Sequence, residues 1–396
     1  MNRPIKNNVY WVGKTDWELR RFHGDEYSTH KGSTYNSYLI REDKVALIDT
    51  IWKPFAKEYV ENLMNEIDLK KIDYIIVNHA EIDHSGALTE LMSHIPDTPI
   101  YCTASGIKSI KGQHHKDWNL NVVKTGDKLS LGSKELIFIE APMLHWPDTM
   151  MCYLTGDNIL FSNDAFGQHY ASEYMFNDLV DQNELFVECI KYYANILTPF
   201  SPMVTKKINE VLSFNLPVDL ICPSHGVIWR EDPVQIIKKY LEWADNYREN
   251  QITLVYDSMW ENTRIMAENI LEGIKQADAG VNVKMYNISR SDKNDVILEI
   301  FKSKAVLFGS STINNGILSA MAGLMEEVRG LKFRNKKAAS FGSYGWSGES
   351  VKMLNDLALK SGFELLNDGI KVLWTPDKEG EALCMEYGKN FATSIK

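Results

Sequence analysis

The sequence has little cysteine, and none of it is paired. Its five cysteines, Cys102, Cys152, Cys189, Cys222 and Cys384, are scattered and form no C-x-x-C motif. That argues against a disulfide framework or a thiolate metal site, and fits small buried side chains in a reducing cytoplasm. A basic excess is also missing. Lys and Arg number 43 against 53 Asp and Glu, for a net charge of -10. Such a chain has no field to attract phosphate backbones, so no nucleic-acid partner is expected. No apolar run is long enough for a membrane span, and the opening MNRPIKNNVYWVG holds no signal-peptide core. Repeats and low-complexity tracts are absent. So are G-x-G-x-x-G and G-x-x-x-x-G-K-[ST], which removes dinucleotide and P-loop readings.

What remains is 396 residues at 44% hydrophobic, enough for two cored domains. Two textures meet near Asn250. The first mixes short strands with helices: Val45–Asp49, Tyr74–Asn78, Leu136–Glu140 and Leu220–Pro223 read as strands. Met151–Leu154 and Ile159–Phe161 follow one another across a Gly-Asp-Asn turn without a helix, which favours a sheet-rich α/β sandwich. A charged helix over Pro233–Asn250 closes this part. From Ile252 onward strands and helices alternate strictly. Strands are expected at Ile252–Tyr256, Val281–Tyr286, Ala305–Phe308, Lys337–Phe341 and Val372–Trp374. Helices are expected from Thr263, Lys293, Gly316 and Gly348, with one more at the end. That rhythm implies an open parallel sheet with right-handed crossovers. The expected division is 1–250 and 251–396.

Metal-ligand residues cluster where strands end. His79, Glu81, Asp83 and His84 follow YIIVN directly, His145 follows LIFIE, Asp164 follows ILFSN and His225 follows LICPS. A single histidine after a strand is usually a capping or core residue. Four such segments together can converge on one rim and hold metal. The set is four imidazoles and three carboxylates, a hard and electron-donating donor set that suits iron, and Asp164 is placed to bridge two ions.

The second half offers a cradle. Its first strand leads into Ser258, Met259, Trp260, Asn262 and Thr263 at the start of a helix, where backbone N–H groups and hydroxyls can take a phosphate. The third ends in Ser310, Ser311, Thr312, Ile313, Asn314 and Asn315, and the fourth in Ser343, Tyr344, Gly345, Trp346, Ser347 and Gly348. Small residues admit a flat ring and Trp346 can cover its face. Each loop alone is an ordinary polar turn. Loops at the first, third and fourth strand ends together make a flavin site at a switch point.

The segment His-x-Glu-x-Asp-His with later His145, Asp164 and His225 resembles the metallo-β-lactamase superfamily signature, except that Glu81 stands where hydrolases carry a second histidine. With HWPD and PSHG, and a half from Gln251 to Lys396 that resembles a short-chain flavodoxin, the chain is similar to the flavodiiron proteins. The resemblance implies an N-terminal metallo-β-lactamase-like αββα sandwich followed by a flavodoxin-like, doubly wound, five-stranded parallel sheet. It implies FMN and two non-haem irons: His79, Glu81 and His145 on one, Asp83, His84 and His225 on the other, Asp164 between. The counterpart of His84 is not bound in every family member. The implied reaction is reduction of O2 to water, of NO to N2O, or both, in a head-to-tail homodimer or a dimer of dimers. The chain stops after the flavodoxin-like half, so the electron donor is expected to be external, a rubredoxin or, in a methanogen, a reduced deazaflavin. Tyr193, His169 and His23 are expected to line the gas pocket, His23 from either subunit. Ordinary helix packing is an equal alternative for Tyr193. A dinuclear metallohydrolase with a fused flavodoxin domain and a non-enzymatic electron carrier are the competing readings.

Overall fold

The computed structural model describes residues 3–395. The chain separates into two compact units. One comprises residues up to Tyr192 with Phe200–Ala244, the other Tyr193–Pro199 with residues from Asp245 onward.

The first unit is built on two sheets. Seven strands lie in the order Arg3–Lys6, Val9–Trp11, Tyr38–Arg41, Val45–Ile48, Ile72–Ile76, Ile100–Cys102, Leu120–Val122. The last four of these run parallel. A five-stranded sheet takes Lys128–Ser130, Glu135–Glu140, Met150–Leu154, Ile159–Asn163 and Leu220–Pro223 in chain order, with only the last pair parallel. Tyr38, Ile40, Ile48 and Ile76 of one sheet share a core with Phe138, Cys152, Phe161 and Cys222 of the other. Every residue of Met150–Leu154 is buried. A strand buried on both faces needs cover outside as well as inside. Amphipathic helices supply such faces: Ala56–Glu66 buries Tyr59, Val60 and Leu63, and Val234–Ala244 buries Ile236, Ile237, Tyr240 and Trp243. This is the expected αββα sandwich. The helix expected over Pro233–Asn250 is shorter, Val234–Ala244, because Asn246 takes a left-handed φ of 52° and the chain enters the strand Glu249–Asp257.

The second unit carries a parallel sheet in the order Asn282–Asn287, Glu249–Asp257, Ser303–Ser310, Lys337–Tyr344, Glu364–Leu365, with Ile370–Leu373 also pairing with Lys337–Tyr344. The chain order 2-1-3-4-5 is that of a doubly wound flavodoxin-like sheet. Its fifth position is split. Glu364–Leu365 pairs with Lys337–Ala338, the chain turns at Gly369 (φ 86°), and Ile370–Leu373 pairs with Phe341–Tyr344. On one face the helices Asn262–Ala277 and Lys378–Ser394 cross closely. A Cβ at Gly273 would sit 1.9 Å from the Met385 carbonyl and one at Gly388 2.1 Å from that of Ile270, so this crossing requires glycine. The helices expected from Gly316 and Gly348 begin later, at Ser319 and Ser350. Left-handed residues at Asn314, Asn315 and Gly348 keep the preceding loops open. Among the described residues no helix is long and apolar enough to cross a membrane.

Candidate functional site

All seven expected ligand residues meet on one rim of the first unit, at the ends of strands from both sheets. The chain leaves Ile72–Ile76 and makes a short helical turn, Ile82–Ser85, that points Asp83 and His84 inward. Thr50 clamps this turn from below, donating its N–H (2.7 Å) and its hydroxyl (2.8 Å) to the His84 carbonyl. Asp164 follows Ile159–Asn163, and His225 follows the parallel neighbour Leu220–Pro223, so the two arrive side by side.

Asp164 divides the group. Its Oδ2 lies 3.9 Å from His79 Nε2 and 3.5 Å from His145 Nε2, and Glu81 Oε2 closes that half at 3.2 Å and 3.6 Å from the same nitrogens. Its Oδ1 lies 3.1 Å from His84 Nε2 and 3.6 Å from His225 Nε2, and Asp83 Oδ2 closes the second half at 3.3 Å and 3.0 Å. Donor atoms bonded to one ion at ~2.1 Å stand roughly 3.0–4.2 Å apart, depending on the angle between the bonds. Each half therefore has the spacing of a metal's ligand shell, with one carboxylate shared. Buried Asp83 Oδ1, His84 Nε2 and Asp164 Oδ2 find no hydrogen-bond partner. Such atoms are costly to bury unless something absent from the protein itself satisfies them, and a cation in each half-site would do so.

The electrostatics agree. Burial opposes charge on His84, yet the adjacent Asp164 and Asp83 outweigh it and lift its pKa well above the ordinary range. Burial opposes charge on His79 too, and hydrogen bonds to Asp148 and Glu81 carry its pKa up to about 9. The cage thus attracts positive charge, as protons or as metal. Outer partners fix the imidazoles through their other nitrogens: His79 Nδ1 meets Asp148 Oδ1 at 3.1 Å, and His225 Nδ1 meets the Thr34 carbonyl at 2.6 Å. The Ser224 hydroxyl donates to Asp164 Oδ1 at 3.1 Å. Asp148 stands inside HWPD, but sequence reading assigned it no role.

The three further pocket candidates fare differently. His23, of this same chain, brings Nε2 to 3.5 Å from Glu81 Oε1, and burial lowers its pKa. His169 is wholly buried, with Nδ1 2.8 Å from Ser33 Oγ and its ring 4.9 Å from that of His225. Tyr193 has different surroundings. The helix Gln182–Tyr192 gives way to a π-helical turn, Tyr193–Leu197, and Tyr193 falls in the other compact unit with its ring 5.8 Å from Phe301. Its neighbour Tyr192 is the tyrosine whose ring lies 5.3 Å from His169.

In the second unit a cavity of about 430 Å³ opens at the expected strand ends. Met259, Trp260, Asn262, Ser311, Thr312, Asn314, Asn315, Ser343, Tyr344, Gly345, Trp346 and Ser347 line it, together with Trp374, which sequence reading missed. Trp374 takes a left-handed φ of 59° and reaches Gly345, where a Cβ would meet its ring at 2.9 Å. Ser258, Thr263, Ser310, Ile313 and Gly348 stand behind or beside the walls. Thr263 Oγ1 ties the three loops together, 2.9 Å from Ser311 Oγ and 2.8 Å from Ser343 Oγ. Ser310 Oγ accepts the Leu318 N–H at 3.0 Å. The helix Asn262–Ala277 has no side-chain cap, and the buried Ser258 Oγ beside it lacks a partner. An uncapped helix start with a waiting hydroxyl fits a phosphate.

Comparison with known proteins agrees with both halves. Residues 34–226 match the model of the ODP family beta lactamases, and residues 254–388 that of the flavodoxins. An anaerobic nitric oxide reductase flavorubredoxin of Escherichia coli is 59% identical over 394 residues, 99% of this chain and 82% of the relative. Among solved structures, the rubredoxin oxygen:oxidoreductase of Desulfovibrio gigas superposes with TM-score 0.96 at 35% identity, covering 100% of this chain and 98% of the other. The flavodiiron protein of Giardia intestinalis does so with TM-score 0.94 at 32% identity, covering 100% and 97%.

Proposed function

The chain belongs to the flavodiiron protein family, and on that premise we propose that it reduces nitric oxide to nitrous oxide, with O2 as an alternative substrate. The carrying observation is Asp164, whose two oxygens serve two half-sites of metal-ligand spacing. His79, Glu81 and His145 would hold one iron, Asp83, His84 and His225 the other. The loops at Ser258–Thr263, Ser311–Asn315 and Ser343–Ser347 would hold FMN. We place the metal-binding half within 1–250 and the FMN-binding half within 251–396. When bound, the irons and the flavin supply the electrons and Lewis acidity for gas reduction. The protein's part is to set charge and orientation. Three carboxylates would stabilise the oxidised metals, Asp148 and Thr34 would aim the imidazoles, and His23, His169 and Tyr192 stand around the cage.

The name of the 59% identical relative favours NO, and that of the Desulfovibrio gigas protein favours O2 as the second gas and a rubredoxin as external donor. A reduced deazaflavin is the alternative donor. Exposed Trp260 and Trp346 rim the flavin cavity, an apolar edge suited to cover by a second copy in a head-to-tail homodimer or a dimer of dimers. Five buried, unpaired thiols suit the cytoplasm. The test is iron and FMN analysis of anaerobically purified protein, then steady-state turnover with each gas on one reduced donor. Two irons with FMN and faster NO consumption are expected. Stoichiometric zinc, with no gain on iron reconstitution, would return the metallohydrolase reading.

A further inference from the structure

Glu81 is the most exposed carboxylate of the cage, its side chain 18% exposed against 5% for Asp83 and 3% for Asp164. Packing does least to hold it, so its direction depends on the backbone that carries it. Ser85, wholly buried, grips that backbone on both sides. Its N–H donates to the Glu81 carbonyl at 2.8 Å, and its hydroxyl donates to the Ala80 carbonyl at 2.8 Å. These are the two rigid peptide planes that flank the Glu81 Cα, and holding both fixes the direction in which the side chain leaves the chain.

The Ser85 hydroxyl is itself directed from outside the loop. His114, the last residue of the helix Ala104–His114, brings Nε2 to 3.1 Å from Ser85 Oγ. The one hydroxyl proton of Ser85 goes to Ala80, so Nε2 carries the proton of this second bond and Oγ accepts it. His114 Nδ1 is then an acceptor, and the Thr89 hydroxyl donates to it at 3.1 Å. Donation runs one way through Thr89, His114, Ser85 and Ala80, which requires a neutral imidazole. Burial pushes the His114 pKa down to about 4, with Lys53 and His115 adding repulsion, so the ring stays neutral around pH 7. The Trp118 ring, 5.3 Å away, backs it.

We propose that His114 is a positioning residue that acts through Ser85 to aim the Glu81 carboxylate at the metal of the His79 and His145 half-site. This rests on the reading of Glu81 as a ligand. Without the Nε2 proton, the Ser85 hydroxyl can turn away from Ala80, the peptide that enters Glu81 loses its anchor, and the carboxylate loses its fixed approach. The second half-site keeps its hold, because Thr50 grips the His84 carbonyl independently.

The test measures iron affinity by competition with graded chelators on the full FMN-loaded chain, as wild type, His114→Leu, His114→Gln and Glu81→Ala. His114→Leu should weaken one of the two irons by about tenfold, the lower end of what losing an outer partner of a ligand costs. His114→Gln keeps an N–H donor and should regain most of that affinity. His114→Leu added to Glu81→Ala should cost nothing further, because the carboxylate it positions is gone. Wild-type affinity in His114→Leu overturns the proposal. So does equal loss in His114→Gln, which would assign the effect to ring packing on Trp118. Additive loss in the double variant overturns it as well, since His114 would then act on more than Glu81. Where His114→Leu fails to fold, Ser85→Ala removes the bond to Ala80 and must show the same loss, again absent in the Glu81→Ala background; wild-type affinity or additivity there overturns the proposal. A wild type that binds no iron, or a Glu81→Ala variant with wild-type iron affinity, defeats the ligand reading instead.

Discussion

Asp148 holds His79 by the ring nitrogen that faces away from the metal cage. Its Oδ1 lies 3.1 Å from Nδ1, and its Oδ2 accepts the Ala80 N–H at 2.9 Å. One carboxylate thereby sets both the tautomer of the first ligand and the path of the loop that carries Glu81. Asp148→Ala should lower iron affinity by roughly 10–100-fold while every direct ligand remains. Competition with a graded series of chelators measures this, with FMN content as the internal control. Wild-type iron affinity in the variant would show that the loop orients His79 unaided.

Thr263 has the corresponding place in the flavin half. Its hydroxyl joins Ser311 and Ser343, so one residue at a helix start gathers the loops of three strands. Thr263→Val keeps the shape and removes both hydrogen bonds. Each is worth about 1 kcal/mol net, so FMN affinity should fall by about tenfold or somewhat more. Fluorescence titration of flavin-free protein gives the constant. Unchanged affinity would mean that the loops hold their shape without this link.

That the seven candidate ligands meet was legible because their segments follow apolar strands, and strand order brings such ends to one rim. The cavity loops were legible for the same reason. Partners distant in sequence were not. Nothing near Asp148 says that it meets His79, sixty-nine positions away. Trp374 closes the cavity from a fifth strand whose split around Gly369 has no composition signal. The expectation for Tyr193 rests on the family resemblance, and the Tyr-Tyr doublet carries no signal that separates it from Tyr192. Tyr192 closes the α-helix with its ring beside His169, and the π-helical turn begins one residue later, at Tyr193.

Asp164 serves both half-sites, and His145 serves one. Asp164→Ala should therefore release both irons, and His145→Ala should retain one. FMN should stay bound in both, because its cavity lies in the other unit. Iron and flavin are counted in the same purified sample, and activity is expected to be lost in both cases. Equal iron loss from the two variants would remove the distinction between a bridging and a terminal ligand.

Glu81 is the residue on which we propose that the choice between iron and zinc turns. It lies on the half-site of His79 and His145, with Oε2 3.2 Å and 3.6 Å from their Nε2 atoms, where metallo-β-lactamase-like hydrolases carry an imidazole. A carboxylate adds a negative charge that an oxidised metal favours, and a neutral ring does not. Glu81→His should therefore raise the reduction potential of the metal site, since the oxidised form loses more stabilisation than the reduced form. Zinc should compete better during metal loading, because an imidazole-rich set is a good zinc site. His23, 3.5 Å from Glu81 Oε1, loses its carboxylate neighbour in the same change. Most gas turnover should disappear, by about a hundredfold, on the scale of a lost charge-stabilising group. Reduction of FMN by the donor should keep its rate, because no flavin-cavity residue is altered. The measurement is anaerobic reduction of the flavin, then mixing with NO or O2, with both metals counted in that sample. A variant that keeps two irons and reoxidises at the wild-type rate would mean that Asp83 and Asp164 supply enough negative charge alone, and that Glu81 does not select the metal.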